Sequence, residues 1–156
     1  ADVALRPGLL RTALKEFEDR KIDAATFCLE PQSSNVIIRF LTNLFYNWPM
    51  EFCEPFLAHG SMAILVRRAI HQRLGGFDEE IKLAEDHEYM RRAKGIGKFG
   101  VLRCGPVLIS VRRFETDGWL RTYMKYFMAE MYMIVFGAVK SDVFKYRFGH
   151  YGNNGK

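Results

Sequence analysis

Acidic residues gather in one short stretch of the sequence, between two predicted helices. Asp78 and Glu79 follow a pair of glycines, and Glu85 and Asp86 open the helix that comes next. A positioned carboxylate can take a proton from a hydroxyl group as it attacks, for a rate factor of about 10² to 10⁴. Acidic residues in a first helical turn also stabilise the helix through its dipole. The charge pattern alone leaves both interpretations open.

Other titratable residues near Asp86 are poorly placed to share a reaction with it. Asp86 and Glu88 could be the paired carboxylates of a hydrolase. Residues two positions apart on a helix point in different directions, however, which weakens this alternative. His87 points about 100° around the helix from Asp86. His59 and His71 are expected to cap or pack.

Three motifs follow one another in the sequence at a recognisable spacing. They are Gly60 with Ser61 in a predicted strand, then Gly75, Gly76, Phe77, Asp78 and Glu79, then Glu85 with Asp86 at a helix start. This order resembles the inverting family 2 glycosyltransferases of the GT-A fold, over roughly residues 1–118. The resemblance implies transfer of a sugar from a nucleotide-sugar donor, with UDP or GDP as the nucleotide, to a glycan or lipid-linked acceptor.

The resemblance also implies roles for single residues. Asp86 would be the catalytic base that deprotonates the acceptor hydroxyl, and Glu85 would support or orient it. Gly60 and Ser61 would let the backbone approach the donor or acceptor sugar, although a glycine at a strand end is equally a packing device. Asp78 would bind acceptor hydroxyls or would simply be a surface charge.

Two further sites are implied near the ends of this region. Family members carry an Asp-x-Asp motif that holds Mg²⁺ or Mn²⁺, hard cations that prefer oxygen ligands. Asp2 resembles the second aspartate of that motif, so the chain is expected to be the C-terminal portion of a longer enzyme. Arg112 and Arg113 would contact the donor pyrophosphate, because a guanidinium matches phosphate geometry. The alternatives are a solvated terminus for Asp2 and a solvated strand end for the arginines.

The sequence lacks one family motif, and this narrows the expected reaction. No Gln-x-x-Arg-Trp follows Asp86. That motif marks processive polysaccharide synthases, so transfer of a single hexose is expected. The main alternative from another class is a non-catalytic basic module that docks on a membrane or a protein partner.

Composition is that of a globular domain. Of the 156 residues, 49% are hydrophobic and 26% are charged, and the net charge is +5. Such a charge suits anionic partners, but no nucleic-acid motif is present. Three cysteines without a Cys-x-x-Cys spacing argue against a disulfide framework, and no signal peptide is seen. A cytoplasmic protein, with possible contact to the inner membrane face, is expected.

Hydrophobic periodicity predicts strands mixed with helices and therefore an α/β fold. The resemblance to the GT-A fold implies a mixed sheet flanked by helices. Helices are predicted from Pro7, from Val36 to near Trp48, over residues 67–74, and from Glu85 to a left-handed cap at Gly95. Strands are predicted over residues 24–29, 61–66, 99–103 and 107–111, the second of them buried on both faces.

A long apolar helix is predicted over residues 119–139, followed by a polar tail to residue 156. Arg121, Lys125 and Glu130 interrupt it, which argues against a membrane span. It is expected either to pack on the core or to lie in a membrane interface. The predicted organisation is therefore a partial GT-A domain over residues 1–118 and a C-terminal helix and tail over residues 119–156.

Overall fold

The computed structural model describes residues 3–81 and 84–111, and these form an α/β fold. The elements are β1 (Val3–Ala4), α1 (Leu9–Asp19), β2 (Ala24–Pro31), α2 (Val36–Thr42), α3 (Trp48–Cys53), β3 (Ile64–Val66), α4 (Arg68–Leu74), α5 (Glu85–Ile96) and β4 (Phe99–Ile109). The strands form one sheet in the order β1-β4-β2-β3. The pair β2 and β4 is parallel, whereas β1 and β3 are antiparallel to their neighbours. The predicted mixed sheet flanked by helices is confirmed.

Strand β2 lies at the centre of the fold and is buried on both faces. Its residues alternate between two hydrophobic clusters, as the two-residue period of a strand requires. Ala25, Phe27 and Leu29 pack in the cluster that contains α1, whereas Ala24 and Cys28 pack in the cluster that contains α5. The sheet therefore separates α1 from the helix that carries Asp86.

Helix α1 packs through apolar residues at a four-residue spacing. Leu9, Ala13 and Phe17 are its buried residues, and Gly8 precedes it in the left-handed conformation. The predicted start at Pro7 is wrong, because Pro7 lies in the turn before Gly8.

The second predicted helix continues beyond its expected end at Trp48. A π-helical segment, Asn43–Asn47, joins α2 to α3, and the Trp48 N–H donates to the Asn43 carbonyl oxygen. Pro49 then stands in the first turn of α3, where a missing N–H costs little. The irregular loop predicted after Trp48 is therefore partly helical.

Three further predictions of element boundaries need correction. The strand predicted over residues 61–66 is only Ile64–Val66, and it is half-buried at the sheet edge rather than buried on both faces. The two strands predicted after residue 98 are one strand, β4, in which Gly105 has a φ of 148°. Helix α5 runs through Gly95 and is followed by Gly97 in an extended conformation, so it has no left-handed cap. The predicted end of α4 at Leu74 is confirmed, and Gly75, which follows it, adopts the left-handed conformation.

A half-buried carboxylate ties α1 to β4. Glu16 accepts hydrogen bonds from the backbone N–H groups of Arg103 and Cys104, at 2.8 to 3.0 Å, and from Arg20 at 2.7 Å. Burial raises the pKa of the Glu16 carboxyl, but these donors more than offset burial and hold the pKa below its usual 4.5. The ionised form therefore stabilises the fold.

We expect Glu16→Gln to lower the free energy of unfolding at neutral pH by about 1 to 3 kcal/mol, because two backbone donors lose a charged acceptor. Since the folded pKa is lowered, this contribution is present above the unfolded pKa of 4.5 and is lost as the pH falls through the folded value. Urea unfolding of both proteins across this range measures it. The exposed Glu79→Gln is the control and should unfold like the parent. If the difference in the free energy of unfolding between the parent and Glu16→Gln does not narrow in acid, the ionised Glu16 carboxylate is not what stabilises the fold.

Candidate functional site

The backbone at Gly60 lies directly against the peptide bond that joins Asp86 to His87. A Cβ atom placed on Gly60 would stand 2.5 Å from the Asp86 carbonyl carbon and 2.5 Å from the His87 nitrogen. Only a residue without a side chain allows this approach. Two of the motifs that carry the family resemblance therefore meet in space.

Asp86 lies in the first turn of α5 and is half-buried. Its Oδ1 accepts a hydrogen bond from the His87 N–H at 2.9 Å. This is the only hydrogen bond of the carboxylate within the part of the chain that the structure describes. Glu85, the preceding residue, is exposed. The chain enters the helix through Ala84 at a φ of 57°, a left-handed conformation that strains a non-glycine residue.

Three rings flank the contact between Gly60 and Asp86. The Tyr46 hydroxyl donates to the Gly60 carbonyl oxygen at 3.3 Å. The His59 ring meets the His87 ring edge to face at 4.3 Å between centroids, and the Tyr46 ring at 5.6 Å. Sequence patterns gave no role to Tyr46, and its place next to Gly60 depends on the π-helical segment.

Ser61 lies beside this contact, but its hydroxyl is used within the chain. The residue is buried, and its Oγ donates to the Ala63 carbonyl oxygen at 2.8 Å. The side chain therefore fixes the turn that leads into β3. The predicted contact with a sugar would have to come from the backbone here.

The loop that carries Asp78 is fastened to α5. Phe77 stacks on Tyr89 at 4.3 Å between centroids, and Arg92 donates to the carbonyl oxygens of Leu74 and Gly76 at 3.0 Å. The Asp78 carboxylate accepts from the Glu80 N–H at 3.0 Å, which closes a turn in the loop.

Glu88 faces away from Asp86, as its helical position predicts. Its carboxylate accepts from Arg92 at 2.8 and 2.9 Å. Arg92 also binds the carbonyl oxygens of the loop before α5. Glu88 therefore helps to hold that loop in place through Arg92. The hydrolase alternative, which needs Asp86 and Glu88 to act together, is not supported by this geometry.

A separate cavity of about 310 Å³ lies at the end of β2 and contains none of the residues around Asp86. Several of the polar groups that line it are paired with one another. Asn47 binds the backbone of Leu29, and the Cys28 thiol donates to Glu51 at 3.2 Å. Burial first, and then the Glu51 carboxylate, raise the pKa of Cys28 to about 12. The thiol is therefore protonated at neutral pH.

We expect Cys28 to resist alkylation by iodoacetamide at mildly alkaline pH, because only a thiolate reacts and this thiol is both protonated and buried. Peptide mass spectrometry after a short pulse should show Cys53, which is half-buried, modified before Cys28. The same pulse in urea should label both equally. If Cys28 is modified as fast as Cys53 in the folded protein, the conclusion that the Cys28 thiol is buried and protonated is wrong.

The remaining predicted site residues, Asp2, Arg112 and Arg113, lie outside the described residues. Val3 and Ile109 are register partners in β1 and β4. In the sequence, Asp2 directly precedes β1, and Arg112 and Arg113 follow β4. Across residues 3–81 and 84–111, no group of three or more potential ligand side chains could hold a metal ion. Asp2, the metal ligand that the family resemblance implies, lies outside that part of the chain.

No helix among the described residues is long and apolar enough to cross a membrane. The helix predicted over residues 119–139 lies outside them. Comparisons of the chain with protein-family models, with curated proteins and with solved structures give no match.

Proposed function

We propose that this chain carries the acceptor side of an inverting glycosyltransferase, which moves one hexose from a nucleotide sugar to an acceptor hydroxyl. The observation that supports it best is the close contact between Gly60 and the Asp86–His87 peptide. Two motifs that are distant in the sequence meet there and hold a half-buried carboxylate at a helix start.

In the proposed reaction the acceptor hydroxyl binds beside the Asp86 carboxylate. The hydroxyl proton moves to Asp86 as the hydroxyl oxygen attacks the anomeric carbon of the donor sugar. The bond from that carbon to the diphosphate oxygen breaks, and the nucleoside diphosphate leaves with the electron pair. Attack opposite to the leaving group inverts the anomeric configuration. The backbone contact at Gly60 keeps Asp86 in position during this step.

The residues proposed for the donor diphosphate are Asp2, Arg112 and Arg113. A Mg²⁺ or Mn²⁺ ion on Asp2 and a second carboxylate would supply charge neutralisation for the leaving diphosphate. Arg112 or Arg113 would bind a phosphate oxygen directly. The pairing of Val3 with Ile109 is compatible with this, because it brings the strands that border these residues side by side.

Release of nucleoside diphosphate tests the proposal. The protein that contains this chain, expressed in full, is incubated with UDP- or GDP-sugars, Mn²⁺ or Mg²⁺, and soluble or lipid-linked acceptors. We expect release with at least one donor that depends on both acceptor and metal. If the folded protein shows no turnover with any combination of donor and acceptor, the non-catalytic docking module becomes the favoured interpretation.

A further inference from the structure

A π-helical segment interrupts the helical stretch that follows β2. It covers Asn43–Asn47, between α2 and α3, and is closed by a hydrogen bond from the Trp48 N–H to the Asn43 carbonyl oxygen. π-helical turns are rare, and they occur frequently at functional sites. This turn sets the direction of the two side chains that end it, those of Tyr46 and Asn47.

The π-turn places Asn47 on the inner side of the segment. Thr42 and Asn47 are both buried, although they are five residues apart. In an uninterrupted α-helix, residues at this spacing point about 140° apart. Asn47 accepts from the Leu29 N–H at 2.9 Å, and its amide group donates to the Leu29 carbonyl oxygen at 2.8 Å and to Asn43 Oδ1 at 2.7 Å. The turn is therefore bridged by its own end residues and fixed to the central strand β2.

Tyr46 extends from this fixed turn to the site around Asp86. Its side chain is half-buried. The hydroxyl donates to the Gly60 carbonyl oxygen at 3.3 Å, and the ring meets the His59 ring edge to face at 5.6 Å between centroids. One side chain thus contacts two consecutive residues of the segment that leads into β3.

The same two residues contact the start of α5. The His59 ring packs edge to face on the His87 ring at 4.3 Å between centroids, and the Gly60 backbone lies against the Asp86–His87 peptide. The His87 N–H donates to Asp86 Oδ1 at 2.9 Å. Tyr46 is therefore linked to the turn that carries the Asp86 carboxylate by two routes, through the ring of His59 and through the backbone of Gly60.

We propose that the π-helical segment is a positioning element for the candidate base, and that Tyr46 and His59 are its positioning residues. Strand β2 supplies the fixed end, because Asn47 binds the Leu29 backbone. The rings then hold the first turn of α5 in place. That Asp86 acts as a base rests on the proposed function, whereas the positional claim concerns the first turn of α5 alone.

Hydrogen exchange of the His87 amide, followed by NMR, tests the positional claim without any substrate. This N–H is bonded to Asp86 Oδ1, so it exchanges when the first turn of α5 opens locally. We expect Tyr46→Phe, which removes only the hydroxyl bond to Gly60, to speed this exchange about two- to tenfold. Tyr46→Leu, which also removes the ring contact with His59, should speed it further.

The matched control is Phe45→Leu, a similar change at the preceding residue, whose side chain is 65% exposed. It should leave exchange at His87 at the parental rate. The amide of Met90, a buried residue in the middle of α5, reports opening of the whole helix and should stay parental in Tyr46→Phe. His59→Leu should speed exchange at His87, and His59→Phe, which keeps a ring, should restore most of the protection.

Transfer kinetics of the full protein that contains this chain separate positioning from binding. Tyr46→Leu should lower kcat by about ten- to hundredfold, because a displaced base loses its alignment with the acceptor hydroxyl. The KM for the nucleotide sugar should stay near the parental value, since the donor does not depend on this turn. Phe45→Leu should match the parent in both constants.

Four results would overturn the proposal. The first is exchange at His87 that is the same in both Tyr46 variants and in Phe45→Leu. The second is equal acceleration at His87 and Met90 in Tyr46→Phe, which would show that Tyr46 supports the whole helix. The third is equal exchange in His59→Leu and His59→Phe, which would remove the ring contact. The fourth is faster exchange at His87 with parental kcat. If the parent transfers no sugar, the proposed function fails, and the exchange rates still decide the positional claim.

Discussion

Replacing Asp86 by asparagine is expected to slow single-turnover sugar transfer by a factor of about 10² to 10⁴. Asparagine keeps the size of the side chain, and its oxygen can still accept from the His87 N–H, the hydrogen bond that Oδ1 makes at 2.9 Å. It cannot take up a proton at neutral pH. The loss corresponds to about 3 to 5 kcal/mol of activation free energy. Donor affinity should change little, since the base acts on the acceptor.

The control for this variant is Glu88→Gln on the same helix. Glu88 binds Arg92 and supports the loop before α5, so its replacement should lower the melting temperature while transfer stays near the parental rate. Rapid-quench transfer and thermal melts of both variants make the comparison. Near-parental transfer by Asp86→Asn would remove the base assignment. If Asp86→Asn does not melt like the parent, Asp86→Ser takes its place, because serine also lacks a basic group and is tolerated at a helix start.

Replacing Gly60 by alanine is expected to impair both transfer and stability. The new methyl group would stand 2.5 Å from two backbone atoms of the Asp86–His87 peptide, and backbone atoms cannot rotate away as a side chain can. Either the turn before β3 or the start of α5 must move. Such overpacking costs about 1 to 3 kcal/mol of stability. A shift of the catalytic group by about 1 Å can cost about a hundredfold in rate.

Gly95→Ala provides the matched control for Gly60→Ala. Gly95 belongs to α5, the helix whose first turn Gly60 contacts, but a Cβ atom on Gly95 would meet no atom within 4 Å. This change should leave transfer unaltered and stabilise the helix by about 0.5 to 1 kcal/mol. Urea unfolding and transfer rates are measured for both variants. If Gly60→Ala matches Gly95→Ala in both stability and transfer rate, the contact between Gly60 and the Asp86–His87 peptide does not constrain the site.

Local sequence signals predict those parts of the fold that depend on local rules. The apolar spacing of Leu9, Ala13 and Phe17 identifies α1, and the glycine at residue 75 ends α4 because it adopts a positive φ. The extension of the second helix past Pro49 could not be predicted this way. It depends on a π-helical hydrogen bond and on Asn47, whose partner Leu29 is distant in the sequence.

The candidate site, too, has a part that local sequence signals predict and a part that depends on tertiary contacts. Acidic residues at a helix start pointed to Asp86, but a glycine alone does not tell which group approaches it. That Gly60 meets the Asp86–His87 peptide depends on tertiary packing. Tyr46 gave no signal, and His59 was expected only to cap or pack, because the contacts of both residues come from rings on separate elements. The exposure of large apolar side chains on α2 and α3, such as Phe40, Trp48 and Phe52, was not predicted either, because a helical spacing of apolar residues does not reveal which side faces the protein.

The anomeric configuration of the product tests the central claim most directly. The protein that contains this chain is given a nucleotide sugar and the acceptor that supports turnover, and the coupling constant of the anomeric proton is measured by NMR in donor and product. Direct attack by a hydroxyl that Asp86 deprotonates predicts an inverted configuration, with no such product from Asp86→Asn on the same time scale. A retained configuration, or an inverted product formed equally fast by Asp86→Asn, would contradict the account.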